Sequence, residues 1–182
     1  MEFEEYFGAA RIIDGLFLGD ETAAQDPDFV ICNKIQYIIN CCANEVDNYF
    51  VENGVQYMYF SWDESGNQTI LDSNDEIIST VYNYIEEAIH YGESVLVHSV
   101  TGQNRSVCLV AAYIMTKFTW TASKTLEFLK IKGAGTRIRA NFAEQLFAYE
   151  GRLRATSKNG LSDTWAQTKL EKNRLPTEEL LV

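Results

Sequence analysis

The stretch Val95-Leu96-Val97-His98-Ser99-Val100-Thr101-Gly102-Gln103-Asn104-Arg105-Ser106 constrains this chain more than any other. Apolar residues lead into a short polar loop with one glycine, and the strongly apolar run VCLVAAYIM (107–115) follows. This pattern reads as buried strand, tight loop and buried helix. Amides of such a loop, and of the helix's first turn, have no intrahelical acceptor and carry the positive end of the helix dipole. A nest of this kind accepts a dianionic phosphate without net positive charge. Val100, Thr101, Gly102, Gln103 and Asn104 would form the cradle, with Gly102 free to take the backbone conformation it needs. Arg105, at the helix start, can close its planar fork over two phosphate oxygens.

Around this segment strands and helices alternate. Residues 11–18 read as two brief strands joined at Asp14-Gly15, and residues 20–32, with Pro27, as one or two short helices. The β-branched run 35–41 reads as a strand buried on both faces, and the aromatic-rich 55–62 as another after the turn signal Asn53-Gly54. Apolar residues at period 3.6 predict a helix over 75–91, closed by Gly92. A strand over 94–98 and helices over 105–117, 121–132 and 138–153 complete the reading, with Gly133-Ala134-Gly135 as a loop. The fold class is therefore α/β, with helices flanking a central sheet. Residues 1–155 are expected to form one domain and 156–182 a polar C-terminal tail.

Composition narrows the partners. The formal net charge is −11 over 182 residues, which speaks against nucleic acid, since its binding depends on lysine and arginine neutralising many phosphates. It does not oppose a small cationic pocket for one phosphate. No run approaches the length of a membrane span, and the acidic opening MEFEE does not fit a signal peptide. The expected location is cytoplasmic, or also nuclear. Cys32, Cys41, Cys42 and Cys108 show no metal-ligand spacing and no secreted disulfide framework, so they are read as reduced and mostly packed in the core. His90 and His98 are too few to build a metal site with them, and His90 reads as a surface charge at a helix end. No metal or cofactor is expected. The sequence sets no oligomeric state.

The residues also carry a resemblance. HSVTGQNRS resembles the signature of cysteine-dependent protein phosphatases, a His-Cys pair, five residues and Arg-Ser, except that Ser99 stands in the cysteine's place. IIDGLFLGDETAA, IQYIINC and RIRANFAEQLFAYE are similar to the opening strands, a core strand and the last helix of dual-specificity phosphatases, so the resemblance spans roughly residues 10–154. It implies the compact fold of that family, a mixed sheet of about five strands with the phosphate loop between a core strand and a helix. It also implies roles. The residue at 99 attacks phosphorus, Arg105 binds and stabilises the transferring phosphoryl group, Ser106 stabilises the nucleophile, and His98 fixes the loop by hydrogen bonding. An aspartate on a separate loop protonates the leaving oxygen. Asp63 in FSWDESGNQ is the candidate, with Glu64 and Asp72 as rivals. Asn141 matches a position that anchors the last helix beside the active loop, and Arg137 and Arg139 either line the rim or are solvated.

An alcohol is far less acidic than a thiol, and no neighbour is placed to deprotonate Ser99, so turnover by the family's route should be lost while phosphate binding survives. Two histories fit: an inactive Cys-to-Ser form of a protein-tyrosine/serine/threonine phosphatase, or a natural Styx-like pseudophosphatase that reads phosphoproteins. The expected partner in either case is a phosphoprotein or phosphopeptide. A Ser-His-acid hydrolase is disfavoured, because Val97 and Thr101 stand where a nucleophile elbow carries glycines. The Gly-x-Asn-Arg run is similar to RNA triphosphatases, but the acidic balance opposes that reading.

Overall fold

The computed structural model describes residues 8–135, 137–163 and 165. Its five strands form one mixed sheet. They are β1 (Ala9–Ile13), β2 (Leu16–Gly19), β3 (Ile35–Asn40), β4 (Gln56–Tyr59) and β5 (Ser94–His98), in the spatial order β1-β2-β5-β3-β4. β1 and β2 are an antiparallel hairpin, and every other neighbouring pair is parallel. Gly15, at a φ of +78°, makes the tight turn between β1 and β2, a conformation glycine reaches without steric cost. The helices are α1 (Glu21–Gln25), α2 (Pro27–Cys32), α3 (Glu76–His90), α4 (Arg105–Phe118), α5 (Ala122–Ile131) and α6 (Ala140–Thr156).

β5 runs through the middle of the sheet with Val95, Leu96 and Val97 fully buried. Successive side chains of a strand face opposite ways. Val95 and Val97 accordingly join Leu16, Leu18 and Ile39 in the larger core shared with α3 to α6. Leu96 joins Phe17, Ile38 and Val30 in a smaller core under α1 and α2. Both faces are covered, which is why β3 and β5 read as near-continuous apolar runs. α4 is buried along most of its length and packs against α3, α5 and α6. The loop between β5 and α4 is thus held between two elements that are buried along most of their length.

The boundaries differ from the sequence expectation at a few ends. β4 stops at Tyr59 because its partner β3 ends at Asn40, and the chain leaves the sheet towards Trp62. α6 continues to Thr156. Part of the stretch read as a polar tail also packs on the domain. Thr121 N donates to Ser162 O at 3.0 Å, Ser162 N to Thr119 O at 2.8 Å and Lys124 Nζ to Ser162 Oγ at 2.8 Å. From residue 164 onward, apart from Trp165, that stretch lies outside the described residues. No helix among the described residues is long and apolar enough to cross a membrane.

Candidate active site

The loop from Ser99 to Asn104 turns sharply at the carboxyl end of β5. Gly102 makes this possible at a φ of +65°, and a Cβ there would lie 2.8 Å from Gly19 O and 2.9 Å from Gly19 C. Both the dihedral and the close approach require glycine. The loop is tied to the neighbouring chain by Ser99 N donating to Gly19 O at 3.4 Å and Glu21 N donating to Val100 O at 3.2 Å. Among the described residues, no amide from Thr101 to Arg105 donates to a backbone carbonyl. Consecutive unpaired amides at a helix start form an anion-accepting concavity.

Ser99 and Ser106 are fully buried, and their hydroxyl oxygens lie 2.9 Å apart. His98 is also buried, but its Nδ1 has no hydrogen-bond partner among the described residues. The anchoring hydrogen bond expected of His98 therefore does not appear at that atom. Burial, with the nearby Arg105 charge, pushes its pKa down to about 4, so the imidazole is neutral near pH 7. The Ser99 hydroxyl is paired with Ser106 rather than with His98.

Arg105 is 1% exposed. Its Nη1 donates to Glu45 Oε1 and, at 2.8 Å, to Trp62 O. Its Nε lies 2.9 Å from Glu64 Oε1, a charge contact without hydrogen-bond alignment. Burial works against the charge, and the Glu45 and Glu64 carboxylates outweigh it, so the Arg105 pKa is raised. Each partner has a local cause. Buried Asn40 donates to Val46 O at 2.7 Å and accepts from Cys42 N at 2.9 Å, shaping the turn that presents Glu45. Trp62 stacks on Phe60 with ring centroids 4.1 Å apart, and its carbonyl accepts from the guanidinium. The sequence singled out neither Glu45 nor the Trp62 carbonyl, since both meet Arg105 only through the fold.

The three acid candidates separate in space. Asp72 accepts from Glu76 N at 3.0 Å and Ile77 N at 2.9 Å, so it holds the first turn of α3. Glu64 faces Arg105 and Arg139, with Oε2 3.1 Å from Arg139 Nε. Asp63 is exposed and accepts from Ser65 N at 2.8 Å. Hydrogen bonds from the Ser65 side chain and amide hold its carboxyl below the usual range. Arg139 is exposed and pairs with Glu64, and Arg137 is exposed as well.

α6 fastens the loop that carries these acids. Asn141 Nδ2 donates to Ser65 O at 3.0 Å, which makes it an anchor for that loop. Gln145 Oε1 accepts from Ile70 N at 2.8 Å and Leu71 N at 3.0 Å, and its Nε2 donates to Gln68 O at 2.8 Å. Asn104 Oδ1 accepts from Arg139 N at 2.9 Å, joining the same helix to the loop after β5. Gln145→Ala removes three of these bonds and is expected to raise amide exchange at Ile70 and Leu71 about tenfold or more, as a loss of roughly 1–3 kcal/mol implies. Unchanged exchange would show that the loop is held by other contacts.

The buried Cys42 also borders the loop. Burial dominates and pushes its thiol up to about 11, with Arg105 and the Val100 backbone acting against the shift. It is a poor nucleophile in that state. Cys41 and Cys108 are buried and Cys32 is exposed. Among the described residues no group of three or more candidate ligands could hold a metal ion.

The sequence and fold that build this site are similar to those of known proteins. Residues 16–152 match the family described as dual specificity phosphatase, catalytic domain. The chain belongs to this family. Among curated relatives, mouse protein phosphatase Slingshot homolog 3 is 31% identical over 159 residues, covering 87% of this chain and 23% of the relative. Human Slingshot homolog 1 is 32% identical over 156 residues, covering 86% of this chain and 14% of the relative. The chain therefore spans less than a quarter of the length of these relatives. Solved structures share the fold. The human tyrosine phosphatase-like serine/threonine/tyrosine-interacting protein superposes with a TM-score of 0.71 at 23% identity, covering 79% of this chain and 96% of that one. A leucine rich repeat and phosphatase domain containing protein from Entamoeba histolytica gives 0.69 at 21% identity, covering 84% and 97%. The dual-specificity phosphatase fold expected from the sequence, with its five-stranded mixed sheet, is the fold of this domain.

Proposed function

We propose that this dual-specificity phosphatase domain binds phosphomonoesters, foremost those of phosphoproteins, and with serine at position 99 holds them without turnover. The observation that carries this reading is the buried Ser99–Ser106 hydroxyl pair at 2.9 Å together with the unpaired amides of residues 101–105. The amides and Arg105 supply a phosphate cradle. The attacking position holds an alcohol with no base, because the neighbouring imidazole makes no hydrogen bond to it among the described residues. In this reading Arg105 grips the phosphoryl oxygens, Ser106 orients whatever side chain stands at 99, and Asp63 is the acid that a working nucleophile would need. Both histories of Ser99, replacement of a cysteine and natural loss, give the same chain the same behaviour.

The test is a titration of a phosphotyrosine peptide and a phosphothreonine peptide, each beside its unphosphorylated form, followed by amide shifts of residues 99–106. Binding of the phosphorylated forms alone, with no inorganic phosphate released, is expected. Equal response to phosphorylated and plain peptides would overturn the reading.

A further inference from the structure

We propose that Glu64 is a built-in ligand of the phosphate cradle and competes with incoming phosphate for the open fork of Arg105. The inference rests on the phosphate-binding reading above and adds the residue that sets the cradle's affinity. Nη1 of Arg105 is engaged by Glu45 and the Trp62 carbonyl. The donors left are Nε–H and those of Nη2, the parallel pair that suits two oxygens of one anion. Glu64 Oε1 stands 2.9 Å from that Nε. Its other oxygen is 3.1 Å from Arg139 Nε, and Arg139 Nη1 donates to the Glu64 carbonyl at 2.9 Å. One carboxylate thus bridges the arginine of the loop and the arginine at the start of α6.

The fit is incomplete. Arg105 Nε and both Glu64 carboxylate oxygens are buried, and none of the three has an aligned hydrogen bond. Charge is balanced, while directional bonding is not. A buried donor left in this way favours exchange for a partner of better geometry. A tetrahedral phosphate dianion carries more charge than Glu64 and can take the fork together with the unpaired loop amides. It therefore displaces Glu64, and the displacement subtracts from its binding free energy. Asn141 and Gln145 keep the loop carrying Glu64 close by, so the displaced carboxylate stays near the cradle as a competitor at high effective concentration.

The experiment is a titration of inorganic phosphate into the chain with Ser99 and into its Glu64→Gln, Glu144→Gln and Arg105→Ala variants, read by amide shifts of residues 99–106. Thermal melts of each variant verify folding. Glu64→Gln is expected to bind phosphate about tenfold more tightly, the equivalent of roughly 1.4 kcal/mol. Glu144→Gln removes the same charge from the exposed face of α6 and should stay within about twofold of the parent, as a remote screened charge does. Equal affinity of the parent and Glu64→Gln overturns the competitor role and leaves phosphate binding standing. If neither binds phosphate, the cradle reading and the inference fall together.

Discussion

Ser99→Cys should raise cleavage of p-nitrophenyl phosphate by this domain on the order of a thousandfold or more over the parent. The reason is the ionisation of the attacking atom. An alcohol at 99 keeps its proton at neutral pH, whereas a thiol at the start of α4 faces the helix dipole and the unpaired amides, which favour the thiolate. The Ser106 hydroxyl, 2.9 Å from the Ser99 oxygen, would then donate to that thiolate. No other part of the cradle has to move for this gain. A folded cysteine form that binds phosphate yet releases none would show that more than the nucleophile has been lost, and would favour a domain specialised for binding.

The pH profile of the cysteine form carries further information. Asp63 has a carboxyl held below the usual range, first by its Ser65 hydrogen bonds. It is therefore ionised at neutral pH in the free protein, and a general acid must hold its proton. The expected kcat/KM consequently falls as pH rises through the Asp63 pKa and is highest on the acid side of neutrality. Asp63→Asn should lower the rate about a hundredfold and remove that alkaline fall. A profile unaffected by Asp63→Asn would move the acid's role elsewhere.

How much of this was legible in the sequence depends on the range of each interaction. β5, the loop after it and α4 follow from neighbouring residues, because apolar runs and a single glycine fix strand, turn and helix locally. The helix over Glu76–His90 is equally plain from its apolar period. The surroundings of Arg105 are not local. Glu45 and Glu64 reach it from 60 and 41 positions away along the chain, and nothing around either residue marks it as a partner. Asp72 was a plausible acid by position, yet the need to satisfy the first amides of α3 claims it. Gln145 carries no motif at all, although it fastens the acid-bearing loop. Local rules thus gave the strand, loop and helix, and tertiary pairing decided which carboxylates face Arg105.

Arg105→Ala should abolish phosphate binding within the measurable range, a loss on the order of a hundredfold or more, since the variant loses a desolvated charge-assisted pair. The same change also tests the fold, because Arg105 is 1% exposed and faces two carboxylates. Stripping a buried ion pair of its cation can cost about 3–5 kcal/mol when the remaining charge stays dry. Here the side chains of Glu45 and Glu64 are 44% and 25% exposed. Both can turn to water, so the loss should lie nearer 1–3 kcal/mol, at the modest end for an unpaired group. Arg105→Lys separates the two effects. It keeps a cation beside Glu45 and Glu64 but has no Nε–Nη2 fork. It should therefore melt within a few degrees of the parent, yet bind phosphate more than about tenfold less tightly. If Arg105→Lys instead binds as well as arginine, the fork is not the gripping element. The amides from Thr101 to Arg105 would then hold the anion by themselves, and residue 105 would serve only to balance the charge of Glu45 and Glu64.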